Sequence, residues 1–126
     1  MSLTEGILCS KSHEYISEKD GTYIIGLTDF AVEQLGDIVF LELPEVGAEF
    51  VKGEVFATVE SVKAASEIYM PIGGKIIEVN EKLMDNPEIL NESPFEEGWL
   101  VKIESETASA DSIDLLEYDD YKEEVE

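Results

Sequence analysis

Apolar residues in this chain come in short bursts separated by Gly, Pro, Asn and Asp, with no long helical stripe, and that pattern predicts many short strands. Tyr23-Ile24-Ile25-Gly26-Leu27 follows the hairpin-type turn Lys19-Asp20-Gly21, which makes the first hairpin. Thr28 or Asp29 then caps a helix of about two turns across Phe30 to Leu35, and Gly36 supplies the stop. Asp37 to Leu43 reads as an apolar strand closed by Pro44, and Glu49-Phe50-Val51 as a shorter one. Lys75 to Val79 alternates imperfectly, as a strand partly covered on both faces would.

Further on, Asn80 is expected to cap a helical turn over Glu81 to Met84, and Asp85-Asn86-Pro87 with Asn91 to Gly98 to form a long polar loop. Trp99 to Glu104 is the last expected strand. Asp111 or Ser112 should cap a helical stretch beginning at Ile113, with Leu115, Leu116 and Tyr118 packed on the body and the acidic run to Glu126 left as a solvated face. The sum is a mainly-β sandwich or barrel in a single domain, 1–126, with residues 1–8 loosely held and 111–126 a helical, acidic segment.

One hairpin stands out. Val55 to Glu60 and Ala65 to Met70 are strand-like runs, and between them Glu60-Ser61-Val62-Lys63-Ala64 carries a lysine near the apex of a turn among small residues. A side chain there should stand clear of the body while two strands fix where it points.

Charge narrows the partners. Eight basic residues, all Lys, against 30 acidic ones leave a formal −22, which should repel nucleic acid and anionic membranes and provides no arginine for bidentate phosphate binding. Cys9 is the one cysteine, so no intrachain disulfide can form. The start lacks a basic segment followed by an apolar run, and no stretch approaches the roughly 18–20 apolar residues of a membrane span, so a cytoplasmic protein is expected. A catalytic set does not assemble: His13 is the sole histidine, the lone cysteine argues against a zinc cluster, and Gly73-Gly74 lacks the Lys-Ser/Thr of a phosphate loop.

Residues spread along the chain carry a resemblance. Glu60-Ser61-Val62-Lys63-Ala64, Gly47 at 16 residues before the lysine and Gly74 at 11 after it resemble the glycine cleavage system H proteins, lipoyl carriers of the barrel-sandwich hybrid fold shared with biotinyl carriers. Ser12-His13-Glu14, Gly26-Leu27-Thr28-Asp29, Leu35-Gly36-Asp37, Leu43-Pro44-Glu45-Val46-Gly47, Asn86-Pro87, Ser93-Pro94-Phe95 and Gly98-Trp99-Leu100 resemble family segments in family order. Biotin carriers place methionines beside the target lysine, where Val62 and Ala64 stand here. Lipoyl domains of 2-oxo-acid dehydrogenases typically have Asp just before it.

The resemblance implies that Lys63 bears a covalent lipoyl group, recognised through Glu60, Ser61, Val62 and Ala64 by a lipoate ligase or octanoyltransferase. It implies a non-catalytic carrier, expected to be a monomer, that shuttles the aminomethyl group of glycine. Its partners are then the PLP-dependent glycine decarboxylase (P protein), the tetrahydrofolate-dependent aminomethyltransferase (T protein) and dihydrolipoamide dehydrogenase (L protein). A loaded arm ends in an ammonium and should be sheltered from water, for which Ser12, Glu14 and Glu67 are the implied docking residues. Glu67 stands where the family often has Asp, Tyr15 where it usually has Trp, and Lys82 where a smaller residue is common. Two other readings stay open on sequence: a lipoyl or octanoyl relay for protein lipoylation, and an unmodified structural or binding module.

Overall fold

The computed structural model describes residues 6–125. In chain order these form β1 (Leu8–Cys9), β2 (Glu14–Lys19), β3 (Thr22–Leu27), α1 (Asp29–Leu35), β4 (Ile38–Glu42), β5 (Glu49–Phe50), β6 (Val55–Ser61) and β7 (Ala65–Tyr69). There follow β8 (Gly74–Val79), α2 (Lys82–Asp85), α3 (Glu88–Glu92), β9 (Val101–Glu104), α4 (Ala108–Asp111), β10 (Leu116–Glu117) and α5 (Tyr118–Val125).

Local chemistry accounts for several of these boundaries. Asp20 and Gly21 both have positive φ, 53° and 82°, which matches the twist of a two-residue hairpin joining β2 to β3. Thr28 Oγ1 accepts the Ala31 N–H at 3.2 Å and so caps α1, while Gly36 ends that helix at φ 77°. The imperfect alternation of β8 is a bulge: Ile76 and Glu78 oppose the adjacent residues Ile103 and Lys102, which leaves Ile77 as the extra residue.

The strands make a seven-stranded sheet, ordered β10-β1-β2-β3-β9-β8-β5, and a three-stranded sheet, β4-β6-β7. Ile16, Ile25, Ile76 and Ile103 from the first share one core with Leu41, Val59 and Ile68 from the second. The result is the expected mainly-β sandwich with short helices. Among the described residues no helix is long and apolar enough to cross a membrane.

Several expectations are corrected. Asn80 does not cap α2; its side-chain amide donates to the carbonyls of Glu97 and Trp99, both at 2.8 Å, and pins the incoming strand. The expected polar loop contains α3, begun by Pro87, because Leu90 is completely buried. Burying one leucine is worth about 2 kcal/mol, enough to hold a five-residue helix that could not stand alone. Trp99 to Glu104 is not the final strand, since β10 pairs with β1 through Leu8↔Glu117 and Cys9↔Leu116. That pairing also ties down Leu8, and Ile7 is only 3% exposed; the part of the loose segment at residues 1–5 lies outside the described residues.

At the other end, Ser112 closes α4 instead of capping a helix, Ile113 is exposed, and Leu116 is in β10. The acidic run is not simply a solvated face. Tyr118, Tyr121 and Val125 line one side of α5, and Tyr121 is 2% exposed in a second apolar cluster with Ile7, Cys9 and Tyr15. Tyr15 lies across Gly26, its cross-strand partner, where an added Cβ would come within 2.6 Å of the ring. Its hydroxyl donates to the Pro94 carbonyl at 2.8 Å.

Candidate functional site

Lys63 sits between β6 and β7, whose register runs Thr58↔Glu67, Val59↔Ser66 and Glu60↔Ala65. The tip is closed by the Ser61 N–H donating to the Ala64 carbonyl at 2.9 Å. Ser61 Oγ accepts the N–H groups of Lys63 and Ala64 and donates to the Ala64 carbonyl, each at 3.2 Å. Ser61, one of the expected recognition residues, is therefore buried and works inside the turn. Glu60, Val62 and Ala64 are exposed, and Val62 additionally donates its N–H to Asp37 at 3.0 Å.

The lysine is exposed, but its stem does not stand clear of the body as expected. It lies over Gly36, where an added Cβ would be 3.4 Å from Lys63 Cε and 3.9 Å from Nζ. Asn91, on the unanticipated α3, braces that corner: its Oδ1 accepts the Ile38 N–H at 2.9 Å and its Nδ2 donates to the Gly36 carbonyl at 2.8 Å. Sequence reading missed Asn91 because it appears there as a loop residue, and only the fold brings α3 under the α1–β4 corner.

Two of the second group of expected residues, Ser12 and Glu14, meet at the far end of β7. Glu14 opens β2 yet is 1% exposed. Its Oε1 accepts hydroxyl protons from Ser10 and Ser12, both at 2.6 Å, and its Oε2 accepts the Tyr69 N–H at 3.3 Å. Because β7 is an edge strand of the three-stranded sheet, the carboxylate bridges the two sheets by satisfying an otherwise open edge amide. Burial pushes the Glu14 carboxyl above its ordinary range, opposed by those Ser10, Ser12 and Tyr69 hydrogen bonds. Ser12 is exposed at the mouth of this box. Glu67 lies apart from Glu14, exposed on β7, with the Tyr69 hydroxyl 3.5 Å from its Oε1. The strand from Ala65 to Tyr69 spans about 13 Å at about 3.3 Å per residue.

Sequence reading also missed Ser10 and the role of His13. His13 has φ 72°, a left-handed conformation costing about 1–2 kcal/mol in a residue with a Cβ. Its N–H donates to the Ser10 carbonyl at 3.1 Å, and its own carbonyl accepts the Thr28 N–H at 3.1 Å. The ring packs 4.9 Å from Phe30, and burial lowers its pKa. Cys9 is 1% exposed, and burial first, with the Asp29 charge adding, pushes its thiol up to about 12, which makes it an unreactive core residue. Among the described residues no three His, Cys, Asp or Glu side chains cluster as a metal site. An open groove of about 800 Å³ between Phe50, Gly73, Lys75 and Thr107 contains none of the expected site residues.

The arrangement thus presents an exposed amine on a braced turn at one end of an edge strand and a serine–carboxylate box at the other. Comparison with known proteins bears on the chain as a whole. Residues 7–126 match the family described as glycine cleavage H-protein. A glycine cleavage system H protein of Listeria innocua serovar 6a is 49% identical over 97% of both chains, and one of Halothermothrix orenii is 47% identical over the full length of both. The crystal structure of a glycine cleavage system H protein from Mycobacterium marinum superposes with a TM-score of 0.87 at 33% identity, over 95% of this chain and 96% of that one. With the family model, the relatives and the fold in agreement along nearly its whole length, this chain belongs to the glycine cleavage H-protein family.

Proposed function

We propose that Lys63 is the covalent lipoyl attachment site of this carrier and that Ser12, Glu14 and Glu67 dock its loaded arm. The observation that carries the first part is the exposed lysine on a turn organised by Ser61, in a chain of this family. The residues fit such a group: Nζ is accessible to an acylating enzyme, and Gly36 presents no side chain against the stem. A lysine amine must lose its proton before acylation, and the amide removes a positive charge, taking the formal balance from −22 to −23. The bound group supplies a disulfide that takes up the aminomethyl group of glycine and is left as a dithiol for reoxidation.

The chain's own part is to present, tether and shelter. Tethering replaces diffusion between the decarboxylase, the aminomethyltransferase and the dihydrolipoamide dehydrogenase by a high effective concentration. An ammonium at the arm's end would find the Ser12 hydroxyl and Glu14 carboxylate at one end of β7, with Glu67 on the way from Lys63. We place this work in the cytoplasm, with lipoate ligase or octanoyltransferase as the modifying partner. Neither alternative, a lipoyl relay or an unmodified module, is favoured by the family match.

Intact mass after expression with lipoate and ligase should rise by one lipoyl group, and Lys63→Ala should abolish the gain; label persisting in that variant would defeat the assignment. For the docking residues, the test is the lifetime of the aminomethyl thioether. Its hydrolysis consumes one water, breaks the C–S and C–N bonds, and releases thiol, formaldehyde and ammonium. Glu14→Gln should shorten that lifetime, and an unchanged lifetime would count against the carboxylate.

A further inference from the structure

The Ser12–Glu14 box is gripped from behind by the C-terminal helix. The Tyr121 hydroxyl of α5 lies 2.8 Å from His13 Nδ1 and 2.7 Å from Thr28 Oγ1, and Tyr118 donates to Asp29 Oδ2 at 2.7 Å. Thr28 in turn donates its N–H to the His13 carbonyl, so both the ring and the backbone of His13 are held by groups that meet at Tyr121. His13 is the residue between Ser12 and Glu14, and its left-handed backbone sets the turn from which those two side chains meet on one carboxylate oxygen. The lysine hairpin meets this assembly through the Tyr69 N–H on Glu14 Oε2, while its tip is organised by Ser61 and by the Val62 N–H on Asp37.

We propose that Tyr121 is a positioning residue for the loaded arm: through His13 and Thr28 it holds Ser12 and Glu14 in the geometry that receives the arm's ammonium. The assignment rests on the docking reading above. It gives the acidic C-terminal helix a task in carrier function beyond covering the second apolar cluster.

The test uses the full-length lipoylated chain. Tyr121→Phe keeps the ring and removes both hydroxyl contacts; the aminomethyl arm should hydrolyse about five- to thirtyfold faster, the effect of one to two lost hydrogen bonds. The rates of Lys63 lipoylation and of reoxidation of the empty dithiol arm should stay at wild-type values. In the unloaded protein, amide hydrogen exchange should quicken at His13 and Glu14 and not at Lys63 and Ala64. At position 13, Gly relieves the backbone strain but loses the tie, so His13→Gly should shorten the lifetime. Asn tolerates the left-handed backbone and places an acceptor where Nδ1 stands, so His13→Asn should restore it. If Tyr121→Phe does not fold well enough to load, the position-13 pair decides. Wild-type lifetimes in Tyr121→Phe or in His13→Gly, with a shortened one in Glu14→Gln, would overturn the positioning role and leave docking intact. A wild-type lifetime in Glu14→Gln would overturn both.

Discussion

Removing one hydroxyl, with Ser61→Ala, tests how the attachment turn is built. Ser61 Oγ takes part in three hydrogen bonds inside the tip, each at 3.2 Å, while the Ser61 N–H to Ala64 carbonyl bond at 2.9 Å survives the substitution. A net hydrogen bond contributes about 0.5–1.5 kcal/mol, and these three are long and share one oxygen. Taking the lower end for each gives a loss of about 1.5 kcal/mol, or about 5 °C in Tm for a chain of this size. Urea unfolding of the unlipoylated protein measures it as a shift in midpoint at constant slope. Lipoylation of Lys63 by ligase should slow as well, because the amine is then presented from a looser turn. A stability change below about 0.3 kcal/mol together with a wild-type lipoylation rate would refute the reasoning and make Ser61 incidental to the hairpin.

Two further outcomes are expected. Asn91→Ala strips the Ile38 N–H and the Gly36 carbonyl of their partners, which should cost about 2–3 kcal/mol in urea unfolding and slow lipoylation at a lysine Asn91 never touches; equal lipoylation rates would show that the corner does not position Lys63. Glu14 supplies a pH test, because burial raises its folded pKa above the ordinary 4.5. The folded state then holds the proton more tightly, so stability must fall as pH rises from about 4.5 through the raised value; relative to Glu14→Gln, the wild type should lose stability upward through that window, and the opposite slope would contradict a desolvated carboxyl.

The chain alone determined what short-range chemistry settles. The Asp20-Gly21 turn, the Thr28 cap and Gly36 stop of α1, and the lysine hairpin each depend on residues within a few positions, and all appear where the residue types demand them. The ordered set of segments from Ser12 to Trp99 also carried the family from sequence, since it needs identity and order and not geometry.

Tertiary structure decided the rest, because long-range contacts overrule weak local preference. The residues of α3 look like a polar loop until Leu90 finds the core, and β10 is two residues that become a strand only because β1 lies beside them. Ile77 reads as a pattern error along β8 and becomes a bulge against β9. The same holds at the candidate site. Ser12, Glu14 and Lys63 were legible as residues, but the burial of Glu14, its bond to Tyr69 55 positions away, the bracing of Gly36 by Asn91 and the reach of Tyr121 to His13 across 108 positions depend on packing. No local pattern specifies such distances: side chains far apart in sequence meet only after the two sheets and the terminal helix have closed around a common core.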